Sequence, residues 1–170
     1  MKSQKIKTLN ELQKTLHIIK RRGRKIGLIT GCFDIIHIGH IKLFRFAKKH
    51  VDTLVVGLDN DKSIKLTKGQ NRPIHDFRKR SETLSELTSI DYIFQIKAVF
   101  NHGSKDSEKY HSAIVNLLKP THIITAPAND TFWKQKEERA KKFKIKFLKD
   151  QRKKNSSSTS IINALLKREF

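Results

Sequence analysis

The sequence predicts an α/β fold: a Rossmann-like, doubly wound parallel sheet of five strands with helices on both faces. Three observations lead there. Short β-branched runs alternate with segments of helical period from one end of the chain to the other. The runs are nearly continuous in apolar residues, as in strands covered on both sides. No linker or shift in composition divides the 170 residues, a length that suits a single domain with its own core. In such a sheet, ligands lie beyond the carboxyl ends of the strands, where strand order reverses.

The elements follow in order. Thr8 and Glu11 form a capping-box pattern, and Leu9, Leu12, Leu16 and Ile19 recur behind them at helical spacing, which predicts a helix over 9–21 within an N-terminal extension, 1–24. "KIGLIT" reads as the first strand, "IGHIKLFRFAKKH" as a helix starting near Gly39 and "TLVVGL" as the second strand. A loop, "KLTKGQNRP", and a helix over about 75–88 come next. "DYIF", "THIITA" and "KIKFL" supply three more strands, separated by a helix over 107–118 that ends before Pro120 and by the helix "TFWKQKEERAKKF". A polar loop over 150–158, expected to be flexible, precedes a closing helix, "STSIINALLKREF".

Composition narrows the function classes. No apolar run approaches the roughly 20 residues that cross a bilayer, and the N-terminus lacks the apolar centre of a signal peptide, so a cytoplasmic protein is expected. Cys32 is the sole cysteine, which excludes a disulfide framework and a cysteine-based zinc site. The formal charge of +21 attracts anions without naming them. Nucleic acid and phosphorylated small molecules are both compatible partners.

One stretch concentrates chemistry: "GCFDIIHIGH", residues 31–40. A glycine turn after a strand and a helix beginning near Gly39 direct backbone N–H groups and the positive helix end at a bound anion. His37 and His40 lie about one turn apart at that end. Metal binding, a structural role and phosphate contact are the alternatives for the pair, and H-x-x-H lacks the glutamate and the i, i+4 spacing of a helical zinc motif. The serines before the last apolar run also form an N-cap pattern. His75, His102, His111 and His122 have no supporting pattern. Phe132 and Trp133 read as core or as stacking surfaces.

"GCFDIIHIGH" resembles the G-x-F-D-x-x-H-x-G-H signature of the cytidylyltransferase-like nucleotidyltransferases. "LTKGQNRPIHDFRKR" resembles the L-K-G-x-x-R-P-x-x-x-x-x-x-R segment of the adenylyltransferase domain that acts on heptose 1-phosphate, with Thr67 inserted before the lysine. "SSSTSII" is similar to the serine-threonine segment at the start of the family's last helix. The likeness to the heptose enzyme covers roughly residues 8–96 and thins beyond. Where that family carries a K-G-G-D-Y-like segment, this chain has "TAPANDTFW"; Asp130 matches the aspartate and the glycines are absent.

The resemblance implies a nucleotidyltransferase that moves a nucleoside monophosphate from ATP or CTP to a phosphorylated sugar or polyol and releases pyrophosphate. A heptose 1-phosphate adenylyltransferase leads, ahead of a glycerol-3-phosphate cytidylyltransferase. A basic nucleic-acid-binding protein without activity on the same fold is the alternative from another class. It further implies His37, His40 and Lys68 as catalytic groups on the phosphates. Gly31, Cys32 and Phe33 would lie against the triphosphate, Asp34 would fix their turn and Gly39 would allow close approach. Asp61 would contact the ribose, Arg80 would hold the pyrophosphate, and Asp130 would help to bind the nucleotide. Ser158, Thr159 and Ser160 would face the β- and γ-phosphates. Mg²⁺ is expected to arrive with the nucleotide rather than in a site built from protein ligands alone. A homodimer is expected on the same ground.

Overall fold

The computed structural model describes residues 3–153 and 157–166. Thr8 caps α1 (Leu9–Arg21), and Glu11 reaches back to the Thr8 backbone to complete the capping box. The chain then alternates β1 (Ile26–Gly31), α2 (Ile38–Lys48), β2 (Thr53–Asp59), α3 (Asp61–Lys68), α4 (Phe77–Ser85), β3 (Tyr92–Ile96), α5 (Lys105–Leu118), β4 (His122–Thr125), α6 (Trp133–Lys142), β5 (Lys146–Lys149) and α7 (Ser158–Leu166). Among the described residues, no helix is long and apolar enough to cross a membrane.

The five strands form one sheet in the order β3-β2-β1-β4-β5, all parallel. Order reverses between β1 and β4, so the crevice of a doubly wound sheet opens above the end of β1. Alternate residues of each strand point to opposite faces. Leu28 and Val55 pack with Leu12 and Leu16 of α1, Val115 of α5 and Ala140 of α6. Their neighbours Ile29 and Val56 pack on the other face with Phe44 and Ala47 of α2 and Leu84 of α4. The N-terminal segment extends the sheet edge: Lys7 N–H donates to Ile93 O, and Ile93 N–H donates to Lys5 O.

One predicted element is corrected. The segment 65–73, expected as a loop, is helical through Lys68. Asn60 is the reason, since its side chain accepts from Ser63 N–H and caps a short helix that ends at Gly69, where φ is +97°. The helix predicted over 75–88 is shorter at both ends, because Asp76 caps it. Of the loop expected over 150–158, residues 154–156 lie outside the described residues, as do residues 167–170 of the closing helix. Ser157 caps α7 by accepting from Ser160 N–H.

The connection between β2 and β3 is pinned to β1 by two buried polar groups. Asp34 accepts from Ile74 N–H at 3.0 Å and His75 N–H at 2.9 Å, and from Arg72 Nε at 2.7 Å. Arg72 is therefore held by Asp34. Arg80, 1% exposed, donates to Cys32 O, to Asp59 O at 2.7 Å, to Asp61 Oδ1 at 2.7 Å and to His75 O at 3.0 Å. These contacts correct two expectations. Arg80 cannot reach out to a pyrophosphate because its fork is spent on the ends of β1 and β2. Asp61 pairs with Arg80 and accepts from Phe77 N–H instead of facing a ribose.

Removing one partner of a buried charged network leaves the others unsatisfied and typically costs about 3–5 kcal/mol. Arg80→Leu is accordingly expected to lower the unfolding free energy by about that amount in urea titrations. A variant of wild-type stability that binds nucleotide poorly would return Arg80 to the ligand site.

Candidate active site

Above the ends of β1, β2 and β4 lies a cleft of about 200 Å³. Its first wall is the turn after β1. Gly31, Cys32, Phe33 and Asp34 line it. Phe33 takes a left-handed backbone, φ +46°, which costs a bulky residue of order 1–3 kcal/mol and persists where the surroundings enforce it. The turn sets the Phe33 ring edge-on to His40 with centroids 5.1 Å apart. Burial pushes the Cys32 thiol up, which makes it a poor nucleophile.

The two histidines of α2 divide their work. His37 is the N-cap, its Nδ1 accepting from Gly39 N–H at 3.1 Å, so a neutral ring carries its proton on Nε2. Its ring stacks on His40 with centroids 3.8 Å apart. A Cβ on Gly39 would sit 2.9 Å from His37 Cε1, so only glycine lets the imidazole fold back over the helix start. His40 lines the cleft and has a buried Nδ1 without a hydrogen-bond partner among the described residues. Burial, with His37 and Lys68 nearby, pushes the His40 imidazole down to about 3, so it is neutral. The structure thus puts His40 among the residues that line the cleft, with the His37 ring stacked against it.

Lys68, in the last turn of α3, reaches the same cleft and makes no ion pair or hydrogen bond with the described residues. Ser158 lines it from α7, its Oγ donating to Ile35 O at 3.1 Å. Thr159 and Ser160 are exposed, and Ser160 Oγ is taken by Ser157. Of the three expected hydroxyls, one therefore faces the cleft.

Asp130 also lines the cleft, with its oxygens engaged. It accepts from Thr125 Oγ1, from Lys136 Nζ at 2.6 Å and from Phe132 N–H at 3.0 Å. Burial pushes its carboxyl up, and Lys136 with these hydrogen bonds outweighs burial and holds it below the ordinary range. Lys136 further donates to Thr30 O, which ties α6 to the end of β1. Asp130 thereby holds the divergent 125–133 segment in place. Phe132 stacks on His102, whereas Trp133 lies under Lys134 and Lys149.

Sequence reasoning missed the far wall: Asp59, Thr67, His102 and His111. Asp59 ends β2, and His102 Nε2 lies 3.0 Å from its Oδ2. Burial pushes the Asp59 carboxyl up, and His102, with His111 and Lys136, outweighs it and keeps Asp59 ionised. Thr67 Oγ1 lies 2.7 Å from His102 Nδ1. His111 Nδ1 lies 2.8 Å from Ser107 O, a carbonyl that can only accept, so this nitrogen bears the proton. No spacing signal connects these residues; the sheet order brings them together.

Burial and Arg139 push the His111 imidazole down to about 4, against the hydrogen bond to Ser107. The unfolded chain takes up a proton near the ordinary value of about 6.5, which the folded ring refuses. Stability from this site is full above that value and falls as the pH drops toward the folded value, by up to about 1.4 kcal/mol per pH unit. Urea unfolding at pH 7, 6 and 5 should show the decline, and His111→Gln should flatten it by one histidine's share. An unchanged slope would mean that His111 is charged in the fold.

The geometry has counterparts in known proteins. The sequence model of the family described as Cytidylyltransferase-like matches residues 28–164. The bifunctional protein HldE of Desulfatibacillum aliphaticivorans is 44% identical over 125 residues, 74% of this chain and 23% of that protein. HldE of Geobacter metallireducens is 43% identical over 120 residues, 71% of this chain and 22% of that protein. The chain thus spans less than a quarter of the length of these curated relatives. The crystal structure of the lipopolysaccharide core biosynthesis protein from Thermoplasma volcanium GSS1 matches with a TM-score of 0.57 and 27% identity, over 75% of this chain and 96% of that one. Pantoate-beta-alanine ligase from Francisella tularensis, with a TM-score of 0.61 and 16% identity over 97% of this chain and 78% of that one, shares the fold. The matched span runs from β1 into α7 and contains the turn, both histidines, Lys68 and Ser158: the chain belongs to the cytidylyltransferase-like family.

Proposed function

We propose that the chain is a nucleotidyltransferase of the heptose 1-phosphate adenylyltransferase type. A phosphate oxygen of the sugar phosphate attacks the α-phosphate of ATP, the new P–O bond forms, and the bond to the β-phosphate breaks with release of pyrophosphate. The observation that carries this reading is the convergence on one cleft of the α2 N-terminus, an uncharged His40 and Lys68, with neither His40 Nδ1 nor Lys68 partnered among the described residues. The likeness to HldE proteins supports the choice of nucleotide and acceptor.

The chemistry asks little of a base, because the attacking phosphate is already an anion. It asks for two repelling anions to be held together and for the charge on the leaving group to be met. Lys68 supplies a mobile cation at the reacting phosphates. His40, neutral and half-buried, donates a hydrogen bond without the desolvation cost of a buried imidazolium. The α2 N-terminus adds its partial positive charge. The nucleotide enters as its Mg²⁺ complex, so the ion is part of the substrate; among the described residues no group of three or more His, Cys, Asp or Glu is placed to hold one.

Calorimetric titration with MgATP and MgCTP, followed by pyrophosphate release in the presence of heptose 1-phosphate, tests the reading. ATP should be the nucleotide bound and turned over. His40→Ala and Lys68→Ala should each lower kcat on the order of 10²-fold, the usual effect of losing one donor to a transition state. Variants within a few-fold of wild type would remove both residues from the chemistry. Turnover of CTP with glycerol 3-phosphate alone would replace the substrate pair.

A further inference from the structure

Resting on the nucleotidyltransferase reading, we propose that Asp59, positioned by His102, is the group that recognises hydroxyls of the acceptor's sugar. The cleft crosses the carboxyl edge of the sheet. Around His40 and Lys68 it offers groups suited to phosphate. On the α5 side it offers a different chemistry. There the end of β2 presents a carboxylate that is 3% exposed and lines the cleft, with His102 and Thr67 arranged behind it.

Asp59 is unusual among the carboxylates of the cleft. Asp34 and Asp130 have their oxygens engaged by several donors. Asp59 has His102 near Oδ2, whereas Oδ1 is buried without a hydrogen-bond partner among the described residues. A buried ionised carboxylate with an unused oxygen is costly, and such atoms in folded proteins usually have a partner in the working state. The missing partner must be a donor. It cannot be a phosphate, which a carboxylate repels, so the part of the ligand that meets Asp59 carries O–H or N–H groups.

Position identifies that part. A phosphate held by Lys68 at the end of α3 lies near Thr67, the preceding residue, and Thr67 contacts His102. An acceptor whose phosphate sits at Lys68 therefore extends its body toward Asp59. A polyol or sugar supplies donors at the required spacing. The stacked pair of His102 and Phe132 gives that body an aromatic floor. Thr67, the residue that interrupts the Leu-Lys-Gly order, holds His102 from behind and so has a function in this arrangement.

The test compares ligands that share a phosphate and differ in hydroxyls. Wild type and Asp59→Asn are titrated with heptose 1-phosphate, with inorganic phosphate and with MgATP, and melting curves verify the fold. Hydrogen bonds to a charged partner are the strong ones, so wild type should bind the sugar phosphate at least about 10-fold more tightly than inorganic phosphate. Asp59→Asn should lose most of that preference and bind MgATP within two-fold of wild type. Equal affinity of wild type for the two phosphates, or an Asp59→Asn variant that keeps the preference, would overturn the proposal. The wild-type comparison decides even where the variant fails to fold. Failure of the underlying reading shows separately, as a wild type that does not bind MgATP.

Discussion

The site depends on a buried guanidinium. Arg80 donates to the backbone ends of β1 and β2, to the start of α3 and to the loop before α4. Each of these segments carries or flanks a cleft residue. Asp34 repeats the device on the other side of the same loop, accepting two backbone N–H groups and Arg72. With its carboxyl below the ordinary range, because these hydrogen bonds outweigh burial, Asp34 stays ionised across the neutral range. The cation that looks like a ligand-binding group in the sequence is therefore a support, as is the anion expected to fix the turn.

This division between supports and contacts explains how much the sequence discloses. The order of strands and helices is legible because each strand is apolar on both faces and each helix has one apolar stripe. The first turn is legible because Gly31, Asp34, Gly39 and the two histidines stand within ten residues. Roles within that turn are less so. His37 and His40 look equivalent at the level of sequence, and only the fold shows that one caps Gly39 while the other enters the cleft. Arg80 and Asp61 misdirect for a related reason: charge is visible in a sequence, and burial of charge is not. The far wall is illegible because Asp59, His102 and His111 come from three separate elements, joined by a strand order that no local pattern encodes.

Electrostatics ties the two halves together. The chain carries a formal charge of +21, yet the cleft floor also holds carboxylates, Asp130 paired with Lys136 and Asp59 beside His102. Lys68 lines the same cleft as a cation without a partner among the described residues. The net charge raises the local concentration of anionic substrates, and the carboxylates of the floor keep that attraction from becoming indiscriminate inside. His40 sharpens the distinction, since a neutral donor discriminates by geometry where a cation discriminates only by sign.

In the reaction proposed for this cleft, the new bond forms at the α-phosphate of the nucleotide. Phosphorus-31 NMR of the protein with MgATP and heptose 1-phosphate tests it without labels or coupling enzymes. Attack at the α-phosphate means loss of all three ATP resonances, appearance of pyrophosphate, and a new coupled pair from a nucleoside diphosphate sugar. Accumulation of ADP with inorganic phosphate, or with a doubly phosphorylated sugar, would place the attack at the γ-phosphate and contradict it.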